Sequence, residues 1–171
     1  NPQCAAHGYA LTEVPGDAAG RVPPADVAAA LREDTALVSI MTSNNEVGTI
    51  QPIAEIGALL RARGIPFHTD AVQAAGHIPL DVEELHVDVL SLSAHKFCGP
   101  KGVGVLYVRR TLRIAPLLHG GAQERDMRAG TENVAGIVGC GCAAALACAE
   151  MGAEDVRLRA ATESLRTALS D

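Results

Sequence analysis

Apolar residues recur along this chain at two spacings, which separate the expected helices from the expected strands. Between Pro52 and Arg63 the residues Ile53, Ile56 and Leu60 form one stripe at helical period. The flanks agree with a helix there: Pro52 suits a first turn, Glu55 the positive end, and Arg61 and Arg63 the negative end. Gly64 stops it before Pro66. A shorter helix begun by proline is expected over 24–31, a turn of helix near 71–75, and a long helix over about 132–150. Leu158, Ala161, Leu165 and Leu169 repeat the helical spacing near the end of the chain. Short apolar runs bounded by polar, Gly or Pro residues predict strands over 37–41, over 66–69 leading into Asp70, over 87–92 and over 103–108.

Strands alternating with helices argue for an α/β fold around a mostly parallel sheet. The connection between the last two strands is shorter than the dozen or so residues a parallel crossover needs, so 103–108 is expected to run antiparallel. Asn45, Asp70 and the pair Ser93 and Lys96 then follow the carboxyl ends of successive strands, the edge where ligands bind in open α/β sheets.

Composition narrows the function classes. Net charge is −6 and the 14 Lys and Arg are scattered, which argues against a nucleic-acid surface or a membrane-binding stripe. The chain has no Trp, and Tyr9, Phe67, Phe97 and Tyr107 are its only aromatics, so a platform for stacking bases is absent. Cys4, Cys98, Cys140, Cys142 and Cys148 are odd in number and read as small buried thiols of a reducing, cytoplasmic compartment. Cys140-Gly-Cys142 lacks the spacing of a redox or zinc motif, and His68, Asp70, His77, His86 and His95 form no compact ligand set, so no metal is expected. The apolar run 134–149 is short for a membrane span and is expected to be a buried helix.

Lys96 and Asp70 suggest one kind of chemistry. A lysine can form a Schiff base with an aldehyde cofactor, and an aspartate can keep that cofactor's ring nitrogen protonated. The cofactor that needs both is pyridoxal 5′-phosphate (PLP). Each residue alone has a plainer reading. A lone lysine after a strand is usually solvated, Asp70 could cap the turn after it, and Thr131 could cap the helix that follows. Arg125 and Arg128 are more often structural or solvated than substrate-binding.

Four motifs weigh together. Ser43-Asn-Asn-Glu-Val-Gly-Thr-Ile-Gln-Pro, His68-Thr-Asp-Ala-Val-Gln, Ser93-Ala-His-Lys-Phe-Cys-Gly-Pro-Lys-Gly and Arg128-Ala-Gly-Thr-Glu-Asn resemble, in order and spacing, those of the cysteine desulfurases. These are PLP enzymes of the class V aminotransferase superfamily with the fold-type I architecture. The resemblance spans roughly 8–149. It implies that Lys96 carries the cofactor and moves the substrate α-proton. It implies that Asp70 pairs with the ring nitrogen and Gln73 with the ring hydroxyl. Ser93 and His95 would contact the phosphate, and Asn45 would lie near the ring hydroxyl and the substrate carboxylate. Thr131 resembles the residue that reaches the phosphate in the other subunit of a homodimer. The implied reaction takes L-cysteine to alanine and passes its sulfur to an enzyme cysteine, for an iron–sulfur scaffold or another acceptor protein. Selenocysteine lyase shares these motifs, and another class V enzyme such as an aminotransferase is the next alternative. A non-catalytic truncated protein of the same fold is the rival from another class.

The chain also departs from the family pattern. Cys98 stands where Tyr is frequent, and Ala122 follows Gly120-Gly121 where a third Gly is usual. The family's nucleophilic cysteine, its substrate-carboxylate arginine and its upstream phosphate turn fall outside these residues. The chain therefore reads as an internal piece of a longer protein. Residues 1–150 would be the centre of the PLP-binding domain, and 151–171 the start of a helix leading to a further domain. Such a piece is expected to show little activity alone.

Overall fold

The computed structural model describes residues 6–170. Its centre is a four-stranded sheet in the order β1 (Val38–Met41), β2 (Phe67–Asp70), β3 (Val89–Ser93), β4 (Gly104–Val108). β1, β2 and β3 are parallel, and β4 runs antiparallel to β3, as the short connection requires. Helix α1 (Pro24–Ala30) precedes β1, and α2 (Ile53–Ala62) makes the crossover from β1 to β2. The long α3 (Val134–Ser170) follows β4.

Side chains alternate across a strand, so each strand sends one set to each face. Phe67 and Thr69 of β2 point to the covered face and are fully buried, as Leu90 of β3 nearly is. The stripe Ile53, Ile56 and Leu60 of α2 packs there with Val27 of α1 and forms the main core. Inside that core the Thr69 hydroxyl donates to the Ile40 carbonyl at 2.8 Å and meets the Thr42 hydroxyl at 2.7 Å, so the buried polar atoms are satisfied. The opposite face carries Ser39, Met41, His68, Asp70, Ser91 and Ser93 and is largely polar.

The turn expected near 71–75 forms as a single hydrogen-bonded turn, with Ala74 and Ala75 N–H both donating to the Ala71 carbonyl. Three expectations need correction. The two helical patterns near the end are one continuous helix, α3, which runs through Gly152 because no Pro interrupts it. Asn133, not Thr131, caps α3: its Oδ1 accepts from the Gly136 N–H at 3.1 Å.

The third correction is that α3 is not a buried helix. Val134, Ile137, Val138 and Leu146 are all exposed, while Gly136 and Cys140 are buried. Its apolar contact with the body follows a narrow stripe through Cys140, Ala143, Ala144 and Ala147, which packs with Ala75, Ala94, Phe97 and Val103. For the same reason Cys142 and Cys148 are exposed rather than buried, and Cys98 is exposed on its own turn. Cys4 lies outside the described residues. By length and composition α3 could cross a bilayer, with a mean hydropathy of 1.8 over its most apolar window. Its second half, however, carries ion pairs one turn apart, Glu154–Arg157, Asp155–Arg159 and Glu163–Arg166.

Candidate active site

The register of the parallel strands builds the rim. Met41 lies opposite Asp70, and Asp70 opposite Ser91, so the last residue of β2 sits between its neighbours on both sides. The ladder continues one step on each side. Thr42 N–H donates to the Asp70 carbonyl at 2.7 Å, and Ala71 N–H to the Ser91 carbonyl at 3.0 Å. The half-buried Asp70 carboxylate accepts the Val72 N–H through Oδ1 at 2.9 Å, starting the turn. Its capping role is therefore real. The other carboxylate oxygen has no hydrogen-bond partner among the described residues.

Lys96 is positioned by what buries its neighbours. β3 runs into a 3₁₀ turn, Ala94–Phe97, where residues three apart share one side. Ala94 and Phe97 take that side and are buried against α3, which leaves His95 exposed and Lys96 half-buried away from it. The turn is tied to β4 by Ala94 N–H donating to Val103 O at 3.0 Å, and Cys98 ends it in the left-handed region at φ 64°. Lys96 makes no ion pair or hydrogen bond among the described residues.

The remaining expected residues divide into two groups. Asn45 sits exposed at the top of a tight turn after β1, which Asn44 Oδ1 holds by accepting from Glu46 and Val47 N–H at 2.8 and 2.9 Å. Gln73 is half-buried in the turn after Asp70 and borders a cavity of about 220 Å³, with Ser43, His77, Glu154 and Arg159 among its lining. Asn45, Asp70, Gln73, Ser93, His95 and Lys96 thus all follow the carboxyl ends of β1, β2 and β3. Thr131 stands apart on the exposed connection from β4 to α3 and bonds to none of them among the described residues. That connection includes three successive left-handed residues, Glu124, Arg125 and Asp126, at φ 48°, 58° and 64°.

One feature of the rim was not found by reading motifs. His68 lies two residues before Asp70 on the same face, with its Nδ1 2.8 Å from Ser39 Oγ and its Nε2 3.2 Å from Ser91 Oγ. The ring therefore bridges β1, β2 and β3. Desolvation holds its pKa below the ordinary imidazole value, against a weaker upward pull from Asp70. Period-two alternation could have put His68 beside Asp70, but the two serines are identified only once the register is known.

Comparison with known proteins places this arrangement. The family model for class V aminotransferases matches residues 3–170. The chain belongs to the class V aminotransferase family. The class V chain is 58% identical over 151 residues to the cysteine desulfurase IscS of Dictyoglomus turgidum, covering 88% of this chain and 38% of that protein. It is 59% identical over 144 residues to the IscS of Methanosarcina thermophila, covering 84% and 36%. Among solved structures, a NifS-like protein superposes with a TM-score of 0.95 at 42% identity, over 99% of this chain and 47% of that one. A structure described as SspA in complex with cysteine superposes with a TM-score of 0.81, also at 42% identity, over 84% of this chain and 42% of its own. The class V chain thus spans less than half the length of these relatives.

Proposed function

We propose that this chain is the cofactor-bearing part of a PLP-dependent cysteine desulfurase, which takes L-cysteine to alanine and hands on its sulfur. The observation that supports it best is Lys96 and Asp70 on one sheet rim, each without a charged partner among the described residues. The rim residues fit PLP by their chemistry. An anionic carboxylate with a free oxygen suits a cationic ring N–H, an unpaired amine suits the aldehyde carbon, and Ser93 and His95 offer donors to a phosphate. Bound there, PLP would supply an electron sink for the α-carbon of an amino acid.

The protein side chains would divide the work. Lys96 Nζ would hold the aldehyde carbon and, as a free amine, would take and return the α-proton of the substrate. Asp70 holds the ring N–H through its unpartnered oxygen, Gln73 orients the ring hydroxyl, and Asn45 meets the substrate carboxylate. Ser93 and His95 hold the phosphate, and His95 sits next to Lys96 as a second proton-handling group. Thr131, which stands apart from the rim, completes the phosphate site of a second copy in a homodimer. In this reading the enzyme is cytoplasmic and delivers sulfur to an iron–sulfur scaffold or another acceptor protein. We take α3 as a helix of a water-soluble protein because its charged second half is unsuited to lipid.

The test is PLP uptake and turnover by the full-length protein. Added PLP is expected to give a visible absorbance band, and borohydride reduction followed by peptide mapping should place the cofactor on Lys96. Alanine release from cysteine should fall about a thousandfold or more in Lys96→Ala. No band in the full-length protein, or a label on another lysine, would overturn the proposal. Relative turnover of cysteine and selenocysteine separates desulfurase from lyase.

A further inference from the structure

His68 has no role in the scheme above, yet it is the side chain most firmly held on the polar face of the sheet. Both ring nitrogens have partners, one from each neighbouring strand. It is also the titratable group nearest Asp70 along β2, about 7 Å away at the rise of a strand.

The charge of His68 therefore matters to Asp70. A cationic imidazole at that distance would compete with any other cation for the carboxylate. A neutral ring needs one donor and one acceptor, and a serine hydroxyl can be either, so Ser39 and Ser91 satisfy it without a proton. Two accepting hydroxyls could also hold a charged ring, so the hydrogen bonds alone do not decide. The ring is half-buried with one strand on each side and a serine hydroxyl on each nitrogen. This seat favours the neutral form, since desolvation works against the charge and outweighs the pull of Asp70. The other strand residues on this face are uncharged: Ser39 and Met41 from β1, Val89, Ser91 and Ser93 from β3, and Gly104, Leu106 and Val108 from β4.

We propose that His68 is a positioning residue for the cofactor site: strapped between Ser39 and Ser91 as a neutral imidazole, it leaves the Asp70 charge uncompensated and available to a cationic ring nitrogen. This rests on the PLP reading above and adds a residue that acts through Asp70 without touching the cofactor.

The experiment compares two variants of the full-length protein, His68→Gln and His68→Lys. Glutamine keeps one donor and one acceptor without charge, and lysine brings a permanent cation. PLP affinity is read by absorbance titration, cooperative melting is checked in parallel, and the His68 ring of the wild type is titrated by ¹⁵N NMR. The ring is expected to carry a single proton at pH 7. The Gln variant should bind PLP within about threefold of the wild type, while the Lys variant binds about tenfold more weakly. A doubly protonated ring at pH 7, or equal affinities in the two variants, overturns the proposal. Were Lys to unfold the protein, Ser39→Ala would serve instead: it should move the ring titration without abolishing binding, and an unmoved titration counts against the strap. A wild type that takes up no PLP sinks the cofactor reading and this role together, whereas equal Gln and Lys affinities sink this role alone.

Discussion

Arg109 joins three strand ends through one guanidinium. Its Nε donates to Asp88 Oδ1 at 3.0 Å, one Nη to the Val87 carbonyl at 2.9 Å, and the other to Glu83 at 2.7 Å. The second oxygen of Asp88 accepts the Phe67 N–H at 3.0 Å, so the starts of β2 and β3 are fastened to the end of β4. The two carboxylates are not equivalent. Asp88 and Arg109 are only 22% and 20% exposed, while Glu83 is 63% exposed. Removing one partner of a mostly buried pair strands the other charge, so Arg109→Ala should destabilise the fold by about 2–4 kcal/mol. Glu83→Ala should cost less than about 1 kcal/mol, since water already screens that carboxylate. Urea unfolding measures both, and equal costs would contradict this account. At this scale the sequence revealed Asp70 and Lys96, because each ends a strand it could delimit. It hid Arg109–Asp88 and Ser39–His68–Ser91, because those partners depend on which residues of separate strands lie side by side.

At the scale of elements, α2 shows how a pattern can be right while a single position in it obeys another constraint. Its apolar stripe and its terminal residues were legible, and the helix formed within a residue of the expected limits. Gly57 inside it looks like a weakness, since Ala in a helix interior is favoured over Gly by about 1 kcal/mol. The structure gives the opposite reading. A Cβ at Gly57 would meet the Leu85 carbonyl oxygen below any normal contact distance, and His86 Cβ at 2.9 Å. That loop cannot simply retreat, because Leu85 N–H donates to Asp81 O at 2.8 Å and Val87 N–H to Val82 O at 3.2 Å. Overpacking costs about 1–3 kcal/mol before any loop bonds are lost, which exceeds the propensity gain. Gly57→Ala should therefore lower Tm by several degrees. A higher Tm would show that the loop yields freely. The antiparallel β4 was legible from connection length alone. The single turn after Asp70 was legible too: the carboxylate caps it through the Val72 N–H, and Gly76 ends it at φ 80°.

The molecule as a whole has one face of its sheet closed by α1 and α2 and the other left polar, and α3 leans on the rim through a stripe of small residues. This explains why apolar patterning overstated the burial of α3. Hydrophobicity reports what a helix can pack against, and among the described residues α3 buries only a narrow stripe, against Ala75, Ala94, Phe97 and Val103. The same architecture makes global stability depend on pH through the open face. His68 has a folded pKa below its unfolded value, so under mildly acidic conditions the unfolded chain binds the extra proton. Its contribution is complete above the unfolded value of about 6.5 and is lost as pH falls from there through the folded value. One proton limits the slope to about 1.4 kcal/mol per pH unit. Carboxylates held by arginine, such as Glu154 and Glu163, are kept below the usual carboxylate range, so they do not produce a transition here. Urea unfolding from pH 8 to pH 5 should therefore show stability falling below about pH 6.5 in the wild type. In His68→Gln that component should vanish, leaving a flatter profile. If the two profiles fall in parallel, the acid sensitivity comes from other groups, and His68 is not held neutral by the fold.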